Sequence, residues 1–353
     1  METQIKNRAM LAIKESVFPG CVIGLIKKNG ERIVVPCGNF TFETNSKEIK
    51  QDSIFDVASI TKSIPVSSLA LKLIDEGKLK LEDKLINFLP EFKNSQRESV
   101  LIKHLLTQTL DYSFRLSSHK DKSAEEILNI ILTSELKTKP GEKFFYSNAT
   151  TIILGLVIEK ITGKTLDILA EEIFFKPLKM TRTSFNPLLK FKKEEIVPTE
   201  IQEWRGGLIH GEIHDESAYI LSKNKPVGSA GIFSTVPDLL NFLEMLLNNG
   251  TLNGKHYFSQ EITKSFHTNQ LSHINEWSGL GWELNQPQYM GTNNTNSTFG
   301  KTGFTGCVVT CDIQKGIGIV ILSNYTYPKR KPDTEKLNKF RKDISEIINK
   351  TYE

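Results

Sequence analysis

Strand-like apolar runs stand at both ends of this chain and helical periodicity fills the middle, and this order constrains the fold more than any other feature. Near the start, "GCVIGLIKKNG" and "RIVVPCGNF" flank Asn29-Gly30, a dipeptide that favours the tight turn of a β-hairpin. Near the end, "GLGWEL", "GCVVTCDI" and "GIGIVILSN" return to strand character. Between them the segments "PVSSLALKLIDEGKL", "SAEEILNIILTSEL", "TTIILGLVIEKITGK" and "VPDLLNFLEMLLNNG" carry helical spacing with start and stop signals, among them Ser123, Pro237, Gly77, Gly163 and Gly250. Apolar Ile5, Ala9, Ile13 and Val17 mark an amphipathic first helix, and "DTEKLNKFRKDISEIINKTY" a charged last one. This order predicts an α/β (α+β) chain: an antiparallel sheet flanked by N- and C-terminal helices, with an inserted mainly helical subdomain. The expectation is a single domain over 1–353, with an α/β subdomain at about 1–57 and 211–353 and a helical subdomain at about 58–210. A cleft is expected where the two meet.

Several classes of function are disfavoured. The formal net charge is only +4, and no basic run interleaves with aromatics, so no nucleic-acid partner is expected. No window approaches the ~18 apolar residues that span a bilayer. Lys6, Arg8, Lys14 and Glu15 interrupt what would be the apolar core of a signal peptide. A cytoplasmic location is expected for the sequence as it stands, and a secreted or periplasmic one if the chain is a trimmed mature form. Cys21, Cys37, Cys307 and Cys311 lie in β-like runs and read as buried free thiols. The last two stand ~13 Å apart along one strand face, too far for one metal ion.

Three short motifs carry chemistry. Ser59-Ile60-Thr61-Lys62 sits at a helix start, Tyr146-Ser147-Asn148 at the boundary of another helix, and Lys301-Thr302-Gly303 on a glycine-flanked strand. Serine is a poor nucleophile until a neighbour takes its proton, and residues i and i+3 on a helix share one face. A free lysine, with a pKa of ~10.4, is protonated and useless as a base. Burial and a second cation disfavour its charge, and Lys301 is the candidate second cation. The Tyr146 hydroxyl is the other candidate base, since two lysines would favour its phenolate. Lys62 and Tyr146 are expected to titrate as one unit, so the choice between them stays open.

In these ordered motifs, and in "FDVASITKS", "LIDEGKLKLEDKLINFLPEF", "KPGEKFFYSNATTIILGLVIEKITGK", "GSAGIFSTVPDLLNFLEMLL" and "GKTGFTG", the chain resembles the serine β-lactamase and penicillin-binding protein superfamily. The match is nearest to class C enzymes and the related esterases and cell-wall amidases. The resemblance implies a β-lactamase/transpeptidase-like fold and an acyl-enzyme on Ser59. It implies that Tyr146 also activates the deacylating water, that Asn148 orients a substrate amide, and that the backbone N–H groups of Ser59 and Phe304 form the oxyanion hole. Lys301, Thr302 and Gly303 would contact substrate, with Gly303 leaving room for its approach. Lys301 would either read a substrate carboxylate or only tune Tyr146.

"HGEIHDE", residues 210–216, superficially suggests a metal site, but its spacing matches no hydrolytic zinc motif. His214 and Asp215 are expected to line the cleft, with no metal and no cofactor. Two departures from the family stand out. Gln108-Thr109-Leu110-Asp111 replaces the usual His-Thr-Ser-Gly in a loop near the cleft, and Pro65 falls early in the nucleophile's helix, where it would introduce a kink.

The expected activity is hydrolysis of an ester, amide or β-lactam bond in a small molecule or short peptide, by a monomer or weak homo-oligomer. The alternatives are a D-amino-acid peptidase or muropeptide amidase using the same residues, and a penicillin-binding sensor that acylates without turnover.

Overall fold

The chain opens with α1 (Glu2–Lys14), which buries Ile5, Ala9 and Ala12. Val17, read as a further turn of the same stripe, lies past the helix end but is also buried. Strands β1 (Gly20–Lys27) and β2 (Arg32–Gly38) form the hairpin, with Gly30 at φ +87° in the turn. A two-residue strand, β3 (Phe55–Asp56), leads into a 3-10 turn over Ala58–Lys62. The computed structural model describes residues 1–92, 97–112, 114–223 and 225–352.

Pro65 does interrupt the helix that follows Ser59. Ile64, before it, adopts φ −117° and ψ 106°, and the regular helix α2 starts only at Ser68, running to Asp75. The extended Ile64 is what proline imposes on its predecessor. The helical block continues with α3 (Ala124–Thr133), closed by a reciprocal Ser123–Glu126 capping box, and α4 (Asn148–Thr162), capped by Ser147 and ended by Gly163 at φ +68°. Next come α5 (Glu216–Leu221), capped by Asp215, then β4 (Phe233–Ser234), paired with β3, and α6 (Val236–Leu247). The chain closes with β5 (Glu283–Leu284), β6 (Thr298–Thr302), β7 (Val308–Asp312), β8 (Ile317–Ser323) and α7 (Glu335–Thr351).

Six strands form one sheet in the order β2-β1-β8-β7-β6-β5, with every neighbouring pair antiparallel. Pairing of β1 with β8, from Cys21 opposite Ser323 to Lys27 opposite Ile317, joins the two ends of the sequence. Along β8 the side chains alternate. Ile317, Ile319 and Ile321 pack with Phe340, Ile344 and Ile348 of α7 and Ile5 of α1, while Val320 and Leu322 pack on the other face with Leu240 and Leu243 of α6. Gly24 and Gly318 let α6 approach that second face, since a Cβ on Gly24 would stand 2.2 Å from Val236 and one on Gly318 3.0 Å from Leu243.

Two features of the sheet position the site. Pairing of β6 with β5 covers only Phe299 and Gly300, so the ladder between them stops before Lys301 and Thr302. Beyond β6, a Cβ on Gly303 would come within 2.3 Å of the Val57 carbonyl oxygen. The space that glycine leaves is filled by the Val57 backbone leading into Ser59 rather than kept for a ligand.

Ile321 sits fully buried between the sheet and the terminal helices. Ile321→Ala is expected to destabilise the fold by about 2–5 kcal/mol, seen as a lower urea midpoint at unchanged slope. A negligible change would show that this face of the sheet does not carry the fold.

Candidate active site

Ser59 and Lys62 lie in the 3-10 turn, where residues i and i+3 eclipse, so their side chains stand one above the other. Lys62 Nζ donates to Ser59 Oγ at 2.9 Å and to the Ser229 carbonyl at 2.6 Å, and only 2% of Lys62 is exposed. The turn is strained: Ala58 has φ +47°, a left-handed conformation that costs a non-glycine residue free energy. Asp56 holds it there. Its Oδ1 accepts from Ala58 N–H at 2.8 Å, its Oδ2 from His214 N–H at 2.7 Å, and its carbonyl from Thr305 Oγ1 at 2.7 Å. One fully buried residue thus ties the turn that carries Ser59 to the loop after Phe304. Burial pushes its carboxyl above the ordinary aspartate value, against the N–H groups of His214 and Ala58.

Tyr146 stands between two ammonium groups, with Lys62 Nζ 5.2 Å and Lys301 Nζ 4.4 Å from its ring centroid. Although 43% of Tyr146 is exposed, crowding by the surrounding protein would raise its pKa; the charges of Lys301 and Lys62 outweigh this and hold the hydroxyl below its ordinary value. Lys62 is held below the usual lysine value, chiefly by burial. Lys301 moves the other way. Burial would lower it, but the carboxylate of Glu283 and the hydroxyl of Tyr146 hold it above the ordinary value. Lys301 is ion-paired with Glu283, whose other oxygen accepts from the Tyr289 hydroxyl at 2.8 Å.

Ser59, Lys62, Tyr146, Lys301, Thr302, Gly303 and Phe304 all line one cleft of about 420 Å³, with Gln108, Trp277, Trp282, Glu283 and Arg341 completing much of its wall. Asn148 is turned away from it: its amide nitrogen donates to Asp215 Oδ2 at 2.9 Å and to Ser217 Oγ at 3.1 Å. His214 and Asp215 stand behind the wall. His214 stacks on the half-exposed Phe304 ring at 5.7 Å and pairs through Nε2 with the buried Glu200 at 2.8 Å. Arg330 binds the same carboxylate at 2.8 Å and lies 5.4 Å from the Phe304 ring centroid. His214, Arg330 and Glu200 therefore brace the residue whose N–H is the second candidate oxyanion donor.

The polar groups of "HGEIHDE" point in different directions. His210 Nε2 donates to the Ile196 carbonyl at 2.7 Å, Glu212 accepts from Arg205 at 3.1 Å, and Asp215 holds Asn148. Among the described residues no three His, Cys, Asp or Glu side chains converge on a metal position. All four cysteines are free and buried. Gln108, the departure in the family's loop, accepts from Ser147 N–H at 2.9 Å and from Thr150 Oγ1 at 2.7 Å, so it anchors the loop that carries Tyr146.

A lysine hydrogen-bonded to a serine on a strained turn, a tyrosine between two lysines, and a lysine-bearing strand beside the cleft define a serine hydrolase. Residues 12–341 match the profile of the β-lactamase family, and the chain belongs to that family. It is 33% identical over 304 residues to a putative D-alanyl-D-alanine carboxypeptidase of Escherichia coli K12, covering 77% of this chain and 69% of that one. It is 29% identical over 367 residues to an N-acetylmuramyl-L-alanine amidase of Bacillus subtilis 168, covering 92% and 81%. The fold matches that of EstCE1, a hydrolase with promiscuous acyltransferase activity, with a TM-score of 0.76 at 20% identity over 97% and 98% of the two chains. Among the described residues no helix is long and apolar enough to cross a membrane.

Asp56, Glu283, Glu200 and Ser229 were not singled out in the sequence. For Asp56 there was a signal: a lone charge in the apolar run "SIFDVAS". Asp56→Asn turns one of its two acceptors into a donor facing an N–H group. It is expected to lower kcat/KM on a p-nitrophenyl ester by roughly 10- to 100-fold, the scale of a lost charged hydrogen bond. Unchanged kcat/KM in a folded Asp56→Asn would show that the turn holds its shape without this carboxylate.

Proposed function

We propose that the chain hydrolyses an ester or amide bond of a small molecule or short peptide through an acyl-enzyme on Ser59. The observation that carries this reading is the 2.9 Å hydrogen bond from Lys62 Nζ to Ser59 Oγ, with Lys62 buried and Tyr146 placed between Lys62 and Lys301. In the first step the Lys62–Tyr146 unit takes the Ser59 hydroxyl proton as Oγ attacks the substrate carbonyl carbon. The negative charge that develops on the carbonyl oxygen is stabilised by the N–H groups of Ser59 and Phe304, a contribution of ~3 to 4 kcal/mol per donor in comparable sites. The intermediate collapses, and the same unit returns the proton to the leaving alcohol or amine. A water then gives its proton to that unit, attacks the acyl carbon and releases the acid, and Ser59 recovers its proton.

The relatives named as a carboxypeptidase and an amidase support peptide or muropeptide bonds as a second reading of the same chemistry. A sensor that only acylates would release one equivalent of product and stop, whereas a hydrolase continues after the burst.

Intact mass after treatment with a fluorophosphonate should show one adduct, on the peptide containing Ser59. An adduct on another serine, or full activity in Ser59→Ala, would contradict the proposal. Lys62→Ala and Tyr146→Phe are each expected to lose about 10²- to 10⁴-fold in kcat/KM, and the double variant little more than the worse single. Losses that multiply would mean two independent groups.

The pH profile is a separate check. Activity requires the deprotonated unit, so kcat/KM should rise with pH through the lowered Tyr146 and Lys62 values, at a limb below the ordinary ~10. Lys301→Met removes a charge that holds both groups down, so the limb should move to higher pH. A limb that stays in place or moves down would exclude Lys301 as the tuning charge.

A further inference from the structure

We propose that Glu283 makes this cleft select substrates without a carboxylate on the leaving group, so that it cleaves uncharged esters or internal amides in preference to a C-terminal residue. The inference rests on the reading of Ser59 as the nucleophile and narrows its substrate class.

Among the described residues three cations line the cleft, Lys62, Lys301 and Arg341, and of these Lys301 is the one paired with a carboxylate. Lys62 is committed to Ser59 and the Ser229 carbonyl. Arg341, 5% exposed, gives Nη2 to the carbonyls of Gly303 at 3.2 Å and Cys307 at 2.9 Å, and Nη1 to Asn338 at 3.3 Å, all neutral partners, and its unpartnered Nε is itself buried away from an incoming ligand. Lys301, also 5% exposed, is the cation that a substrate carboxylate would meet beside Thr302, and its charge is matched by Glu283.

Glu283 is fixed in turn. It lies on β5 opposite Gly300, one residue from Lys301 on the neighbouring strand, and the Tyr289 hydroxyl holds its second oxygen. An incoming carboxylate would have to displace Glu283 from Lys301 or lie beside a like charge, and either arrangement is repulsive. An uncharged group meets no such obstacle. The cleft also presents it with the rings of Tyr146, Trp277 and Phe304, which are 43%, 49% and 50% exposed.

The test is a matched pair of thiolesters: an N-acyl-D-alanyl thioglycolate as its free acid and as its methyl ester. They share the acyl group and the thiolester and differ in whether the leaving thiol carries a free carboxylate, and initial rates of thiol release are read, so that cleavage of the methyl ester itself is not counted. The full chain is expected to favour the methyl ester in kcat/KM by about 10-fold or more, and Glu283→Gln to move the acid-to-ester ratio by at least about 10-fold toward the acid, the scale of one charged hydrogen bond. Glu283→Asp, which keeps the charge, should retain the wild-type preference. The wild-type ratio needs no variant to fold. A preference of the unaltered chain for the free acid, or an unchanged ratio in Glu283→Gln, would overturn the inference while leaving the nucleophile intact. Thiolester hydrolysis that survives in Ser59→Ala would overturn the underlying reading, and the inference with it.

Discussion

The site depends on one contact between the two ends of the chain: the Val57 carbonyl pressed into the space beside Gly303. The N-terminal segment brings Ser59, which follows a left-handed Ala58, and the C-terminal sheet brings β6, whose continuation supplies the second candidate oxyanion donor. Asp56 stitches the two together, since its carboxylate restrains Ala58 and its carbonyl accepts from Thr305. Strain of this kind, on the order of 1–3 kcal/mol, persists only where the surroundings over-determine it, and here the β1–β8 pairing and the buried carboxylate do so.

Charge is the second constraint. Lys62 and Lys301 flank the Tyr146 phenol, and both are buried. Burial suppresses the charge of Lys62, Glu283 maintains that of Lys301, and the Tyr146 hydroxyl is held down between them. Pairs of titratable groups whose surroundings push them apart in this way are the mark of acid–base chemistry at neutral pH. Glu283 has a double position, because it stabilises the Lys301 ammonium and also screens that charge from a ligand.

The antiparallel strand runs, the terminal helices and most helix ends were legible because apolar periodicity and caps such as Ser123 and Gly163 are local signals, whereas the strand order came only with the fold. Ser59, Lys62, Tyr146 and Lys301 were legible as candidates because each sits in a short motif, and the fold gathers all four in one cleft. Glu283 was not, since an acid on a two-residue strand reads as surface until the pairing with β6 sets it beside Lys301. Asn148 shows the opposite limit. Its motif is intact, yet the side chain is given to Asp215, a partner 67 residues away that no local pattern marks. His214 and Asp215 likewise drew notice as possible cleft residues, but their place behind Phe304 depends on Glu200 and Arg330 from distant segments.

The most direct measurement is a crystal structure of the chain after reaction with a fluorophosphonate. Phosphorus is expected to be bonded to Ser59 Oγ, with one phosphoryl oxygen within hydrogen-bonding distance, about 3 Å, of both the Ser59 and Phe304 backbone nitrogens. Phosphorus on any other atom, or an oxygen turned away from those two N–H groups, would contradict it.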